Sequence, residues 1–138
     1  MNTVAMMYQV PLVLKEAMAN STTRVAFEQA LARVLDSFPA GVPILMYNSD
    51  HVGALQDAGI PLRQTLNEED YDSWRAALAN PAQSAAYVVA IAGDPVSKAV
   101  AEHPAGLTEL SILCTTGQPC ARIYQSDHYT TPGQPAHP

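Results

Sequence analysis

Two short runs of unbroken apolar residues, at 42–47 and 85–92, constrain this chain more than any other feature. A run of that length with no polar alternation, bounded by turn residues, is the pattern of a strand buried on both faces, as in a parallel sheet. Each run is followed by a helix start. Asn48-Ser49-Asp50 caps a short helix that ends at Gly59, a residue suited to the left-handed position after a helix. Gly93-Asp94-Pro95 places a cap at Asp94 and proline at the first helical position. Val96, Ala99 and Val100 then face the core until His103-Pro104 breaks the helix.

The remaining segments extend this strand-helix alternation. Phe27, Leu31, Val34, Leu35 and Phe38 recur at helical spacing, with Arg24, Glu28, Arg33 and Asp36 elsewhere around the helix. Asn20-Ser21-Thr22-Thr23 offers its N-caps, and Pro39-Ala40-Gly41 stops it. Residues 61–66 form a weaker strand. Asn67 then caps a helix with Glu68, Glu69 and Asp70 in its first turn, an apolar stripe of Tyr71, Trp74 and Leu78, and a stop at Asn80-Pro81. Residues 107–115 and 120–124 read as a closing pair of strands joined tightly through Gly117 and Pro119, so the last strand runs antiparallel. The expected fold class is α/β: a three-layer α/β/α sandwich, with a mostly parallel Rossmann-like sheet and an antiparallel C-terminal strand. The 138 residues suit a single domain at 21–127, preceded by an arm at 1–20 and followed by a disordered tail at 128–138.

Composition excludes several function classes. Seven Lys and Arg stand against thirteen Asp and Glu, a net charge of -6 with no basic run, so nucleic acid is not an expected partner. No stretch approaches the roughly 20 apolar residues of a membrane-spanning helix. The apolar start lacks the preceding basic residues of a signal peptide. Neither Cys114 nor Cys120 belongs to a CxxC pair or lies near a histidine cluster, which argues against a zinc or iron–sulfur site. They flank Thr-Thr-Gly-Gln-Pro. A five-residue hairpin loop would bring the thiols face to face for a disulfide, whereas a two-residue turn at Gly117-Gln118 would leave two separate free thiols. The chain has no GxGxxG after its first strand, no Walker lysine, no GxSxG and no HExxH, so no cofactor or metal is implied. Asp70-Tyr71-Asp72 has the letters of a DxD metal motif but lies within the expected helix.

In open parallel sheets, ligands bind in the crevice outside the carboxyl ends of the strands. Asn48-Ser49-Asp50-His51, Asn67-Glu68-Glu69-Asp70 and Gly93-Asp94 should converge there. The candidate ligand-binding residues are accordingly Asn48, Asp50, His51, Arg63, Asn67, Glu68 and Asp94, with no catalytic residue assigned. A catalytic reading pairs Asp50 with His51 as acid and base beside Glu68 or Asp94. Ordinary helix capping accounts for all of these except His51. Trp74 shares a stripe with Tyr71 and Leu78, so it reads as core rather than as a sugar platform, and Arg63 and Arg122 can hold an anion or pair with the surplus carboxylates. His103, His128 and His137 read as solvated.

At residues 51–61 (His-Val-Gly-Ala-Leu-Gln-Asp-Ala-Gly-Ile-Pro), Asn67-Glu68 and Gly93-Asp94-Pro95-Val96, the chain resembles the soluble C-terminal domain of bacterial membrane glycosyltransferases of the dolichyl-phosphate-mannose-protein mannosyltransferase-like group. Residues 11–17 and 20–24 look like the stretch after the last membrane helix of such proteins, and residues 118–124 like their final strand. The similarity spans about residues 8 to 125. It implies a non-catalytic accessory domain on the extracytoplasmic face of the inner membrane, with the catalytic acid and lipid-phosphate-sugar site in a membrane-embedded part. Its partners would be that part of the same polypeptide and a glycan or protein acceptor. The arm at 1–20 would then be a truncated junction, and an extracytoplasmic setting would favour a Cys114–Cys120 disulfide. The alternative is a self-sufficient small-molecule-binding domain or enzyme that uses the Asp50, His51 and Glu68 crevice.

Overall fold

The computed structural model describes residues 12–48, 52–61 and 64–129, with side chains from residue 23 onward and not at residue 52. In chain order the elements are α1 (Leu12–Asp36), β1 (Ile44–Met46), α2 (Val52–Asp57), β2 (Thr65–Leu66), α3 (Tyr71–Ala79), α4 (Pro81–Ser84), β3 (Tyr87–Ile91), α5 (Pro95–Glu102), β4 (Leu107–Leu113) and β5 (Ala121–Ser126). The protein is a mixed α/β fold around one five-stranded sheet in the order β2-β1-β3-β5-β4. β2, β1 and β3 are parallel, with Ile44 level with both Thr65 and Tyr87. β5 is inserted antiparallel between β3 and β4.

The two apolar runs became strands because their alternate residues feed two separate cores. Ile44, Met46, Val89, Ile91, Ala121 and Ile123 face one side, where they pack with Phe27, Leu31 and Leu35 of α1 and with Ala54 and Leu55 of α2. Leu45, Val88 and Ala90 face the other, with Trp74 and Ala77 of α3 and Val96 and Val100 of α5. Every residue of β1 and β3 is buried. Full burial of a Leu, Ile, Val or Phe side chain contributes about 1.5–3 kcal/mol, so these shared layers hold the sheet between its helices. Trp74 is 7% exposed and belongs to the core, as its stripe predicts.

Helix punctuation follows the sequence in most places. Asp94 caps α5, its side chain accepting from Ser97 N, with Pro95 at the first helical position. The turn after α2 carries Gly59 at φ +70, and Ile60 N donates to Leu55 O. Three local expectations are corrected. α1 runs through Asn20-Ser21-Thr22-Thr23 instead of starting there, since Leu12–Asp36 is one helix. The Lys-Glu-Ala-Met-Ala stretch at 15–19 supplies strong helix formers, and continuing through four polar residues costs only tenths of a kcal/mol each. α3 is capped by Asp70 rather than Asn67, the Asp70 side chain accepting from Ser73 N. Tyr71, the first residue of α3, stands outward instead of joining the buried stripe, 64% exposed, with the Arg75 guanidinium 5.5 Å from its ring centre. Asn80-Pro81 ends α3 as expected but also begins the one-turn helix α4, because proline suits the first helical turn.

Of the arm drawn at 1–20, residues 12–20 belong to α1 and residues 1–11 lie outside the described residues. Of the tail drawn at 128–138, Tyr129 meets the Tyr87 ring edge-on at 5.7 Å, and the expectation for residues 130–138 lies outside the described residues. Among the described residues, no helix is long and apolar enough to cross a membrane.

Candidate functional site

Two polar regions lie beyond the carboxyl ends of the parallel strands. The first ties β1 to β2. Thr65 Oγ1 accepts from Asn48 Nδ2 at 3.0 Å and from Asn67 Nδ2 at 2.8 Å. The Glu68 carboxylate receives the Asn48 backbone N–H, with both oxygens at 3.1 Å. Asn67 Oδ1 accepts from Glu69 N at 2.9 Å, a local turn that replaces the expected cap. Asn48, Thr65 and Asn67 are all buried. The hydrogen bonds therefore join neighbouring strand ends inside the protein. Asn48 Oδ1 is the exception, a buried acceptor with no partner among the described residues.

The second region is a cavity of about 490 Å³ at the ends of β1 and β3. The chain leaves β1 through α2, which packs on one face of the sheet, and leaves β3 through α5, which packs on the other. Between strands whose connections part in this way, the backbone cannot close over the sheet edge, so a crevice is built into the topology. α1 contributes Arg24, Phe27 and Glu28; Tyr47 comes from the end of β1; Ile91, Ala92, Gly93, Asp94 and Pro95 come from the turn after β3. Gly93 at φ +88 makes that turn sharp enough for α5 to start at once, in a conformation that side-chain-bearing residues rarely adopt.

Gln118 and Pro119 of the β4–β5 loop complete the wall. Leu113 pairs with Ala121, which leaves a seven-residue connection closed by a Cys114–Cys120 disulfide with a Cα separation of 4.4 Å. The disulfide is thus the alternative that the structure contains. The loop is held at two further points: Ala92 N donates to Cys120 O at 2.9 Å, and Gln118 Nε2 donates to Thr23 Oγ1 of α1 at 3.0 Å. Tyr47 is half-buried, and its ring stands 6.3 Å from that of Trp74.

Asp94 has a double role here. Its Oδ1 accepts from Ser97 N at 2.7 Å and its Oδ2 from Ile91 N at 3.3 Å. One carboxylate thereby closes the turn after β3 and caps α5. It occupies one of the helix N-terminal N–H groups, that of Ser97, of a kind that elsewhere receives phosphate.

Of the seven candidate residues, the four that are described fall in two regions. Asn48, Asn67 and Glu68 share the strand-tying cluster, and Asp94 lies in the wall of the cavity. Asp50, His51 and Arg63 lie outside the described residues. Arg24, Glu28, Tyr47 and Gln118 were not singled out as ligand-binding residues. The position of Tyr47 as the last residue of a buried run was a usable signal, but nothing local in the sequence brings residue 118 to residue 24. Arg122 makes the carboxylate pairing, 2.6 Å from Glu109 on the exposed edge of the sheet. The hydrogen bond and charge of Glu109 raise the Arg122 pKa from its ordinary value, and burial pushes that of the neighbouring Tyr124 phenol up. Among the described residues, no three His, Cys, Asp or Glu side chains converge as a metal site requires.

No protein-family model, curated protein or solved structure matches this chain.

Proposed function

We propose that this chain is the non-catalytic accessory domain of a membrane glycosyltransferase that uses a polyprenyl-phosphate sugar, and that the cavity between β1 and β3 holds the acceptor. The observation that carries this reading is the cavity itself: about 490 Å³, at the topological position where open α/β sheets bind ligands, with a wall stapled by a disulfide. Binding is the chemistry its lining supports. Asp94 is engaged in closing a turn and capping a helix.

Three further features favour the same reading. The resemblance at residues 51–61 and 93–96 points to the soluble domain of such transferases and, through it, to a membrane-embedded part of the same polypeptide as partner. A disulfide belongs to an oxidising compartment, in keeping with the extracytoplasmic face of the inner membrane. Helices against both faces of the sheet suit a three-layer, Rossmann-like sandwich. The alternative enzyme built on Asp50, His51 and Glu68 is less favoured, because the Glu68 carboxylate already receives the Asn48 N–H.

Two measurements test the proposal. Genomic sequence upstream of Met1 should encode a series of hydrophobic segments in frame, and a stop codon directly before Met1 overturns the membrane assignment. Incubated with candidate glycan and peptide acceptors, the isolated chain should bind without turning them over. Turnover that disappears in His51→Ala would establish the enzyme instead.

A further inference from the structure

We infer that the cavity between β1 and β3 takes an uncharged saccharide and rejects phosphate-bearing ligands, so that within the proposed transferase it is an acceptor subsite and not a second site for the lipid-phosphate donor. This deepens the acceptor reading above and rests on it.

The argument begins with the groups that a phosphate would need. In an open parallel sheet, a phosphate sits on the helix N-terminus that follows a glycine turn, where free N–H groups and the helix dipole face it. The corresponding turn here is Gly93-Asp94-Pro95, and a carboxylate of the protein itself already sits on it. Asp94 accepts from Ser97 N and Ile91 N, and Pro95 has no N–H to offer. A second carboxylate, that of Glu28, and one guanidinium, that of Arg24, belong to the same lining. An incoming phosphate would meet two negative charges at close range, and the chain as a whole carries -6.

The same lining suits a neutral polyol. Sugar hydroxyls both donate and accept, so they can use carboxylate oxygens, a guanidinium and a carboxamide without bringing a charge of their own. Tyr47, half-buried with its ring packed toward Trp74, is the tyrosine in this lining, and Gln118 is held in the wall by its bond to Thr23. Donors, acceptors and a tyrosine converge around about 490 Å³, enough for one or two sugar rings.

The test is a solution titration of the whole chain, followed by amide chemical shifts, against four probes: a neutral mannose- or glucose-based disaccharide, inorganic phosphate, a short-chain prenyl monophosphate and a Ser/Thr-rich peptide. The disaccharide should produce saturable shifts at Gly93 and Gln118, and Tyr47→Ala and Gln118→Ala should each weaken it about tenfold while the fold is retained. Neither phosphate probe should shift those amides in the unaltered protein. Asp94→Ala, which removes both the charge and the capping oxygens, should admit inorganic phosphate. Saturable binding of prenyl monophosphate or peptide at Gly93 and Gln118 would overturn the inference, as would a disaccharide that leaves both amides unmoved. Either result would leave the membrane assignment standing, because that assignment is tested by the upstream reading frame.

Discussion

The polar cluster at the ends of β1 and β2 and the cavity at the ends of β1 and β3 are only one strand apart, yet they do opposite things with similar residues. Between β1 and β2, Asn48, Thr65, Asn67 and Glu68 turn toward one another, and their hydrogen bonds hold two strand ends together. Between β1 and β3, Arg24, Tyr47, Asp94 and Gln118 surround open volume. The difference lies in the connections, because the helices after β1 and β3 depart to opposite faces and leave a gap that side chains from four separate segments can only line. Polar residues at strand ends therefore border open volume only where the topology sends the neighbouring connections to opposite faces of the sheet.

Three substitutions can break or sharpen this contrast. The largest effect should come from Thr65→Val, which keeps the shape and removes the oxygen that accepts from both buried amides. Urea denaturation should show a loss of about 2–4 kcal/mol, and a loss under 0.5 kcal/mol would mean that the cluster does not tie the strands. Next is the double change Cys114→Ser with Cys120→Ser. Opening a loop with a sequence separation of 6 should lower stability by about 2 kcal/mol, and saccharide affinity should fall with it because the loop carries Gln118 and Pro119. Unchanged affinity would show that the wall does not depend on the staple. The smallest effect belongs to Asp94→Ala, whose loss of a helix cap should cost about 1 kcal/mol by thermal unfolding. A cost approaching that of Thr65→Val would place Asp94 among the strand-tying residues and weaken the distinction.

The two regions were unequally legible in the sequence. The residues of the cluster stood out because Asn, Asp and Glu after an apolar run are conspicuous, and the proline and glycine around Asp94 marked its turn with the right cap. The same signals misplaced the α3 cap by three residues, since Asn67 is spent on Glu69 N and Thr65 rather than on the helix. They also counted Tyr71 as core when it stands in solvent beside Arg75. Of the cavity, only Asp94 had been singled out. Arg24 and Glu28 read as the outer face of a helix, and Gln118 as part of a hairpin.

By itself, the sequence determined where most of the strands and helices lie and that β1 and β3 are buried on both faces. Unbroken apolar runs can be satisfied only by burial on both faces, and glycine, proline and capping residues set where the chain turns. Tertiary structure alone decided the strand order, and with it the site. The insertion of β5 between β3 and β4 brings the disulfide-closed loop against the end of β3 and across to Thr23 of α1. Contacts between residues 95 positions apart in the chain depend on how the sheet is ordered, and local periodicity carries no record of that order.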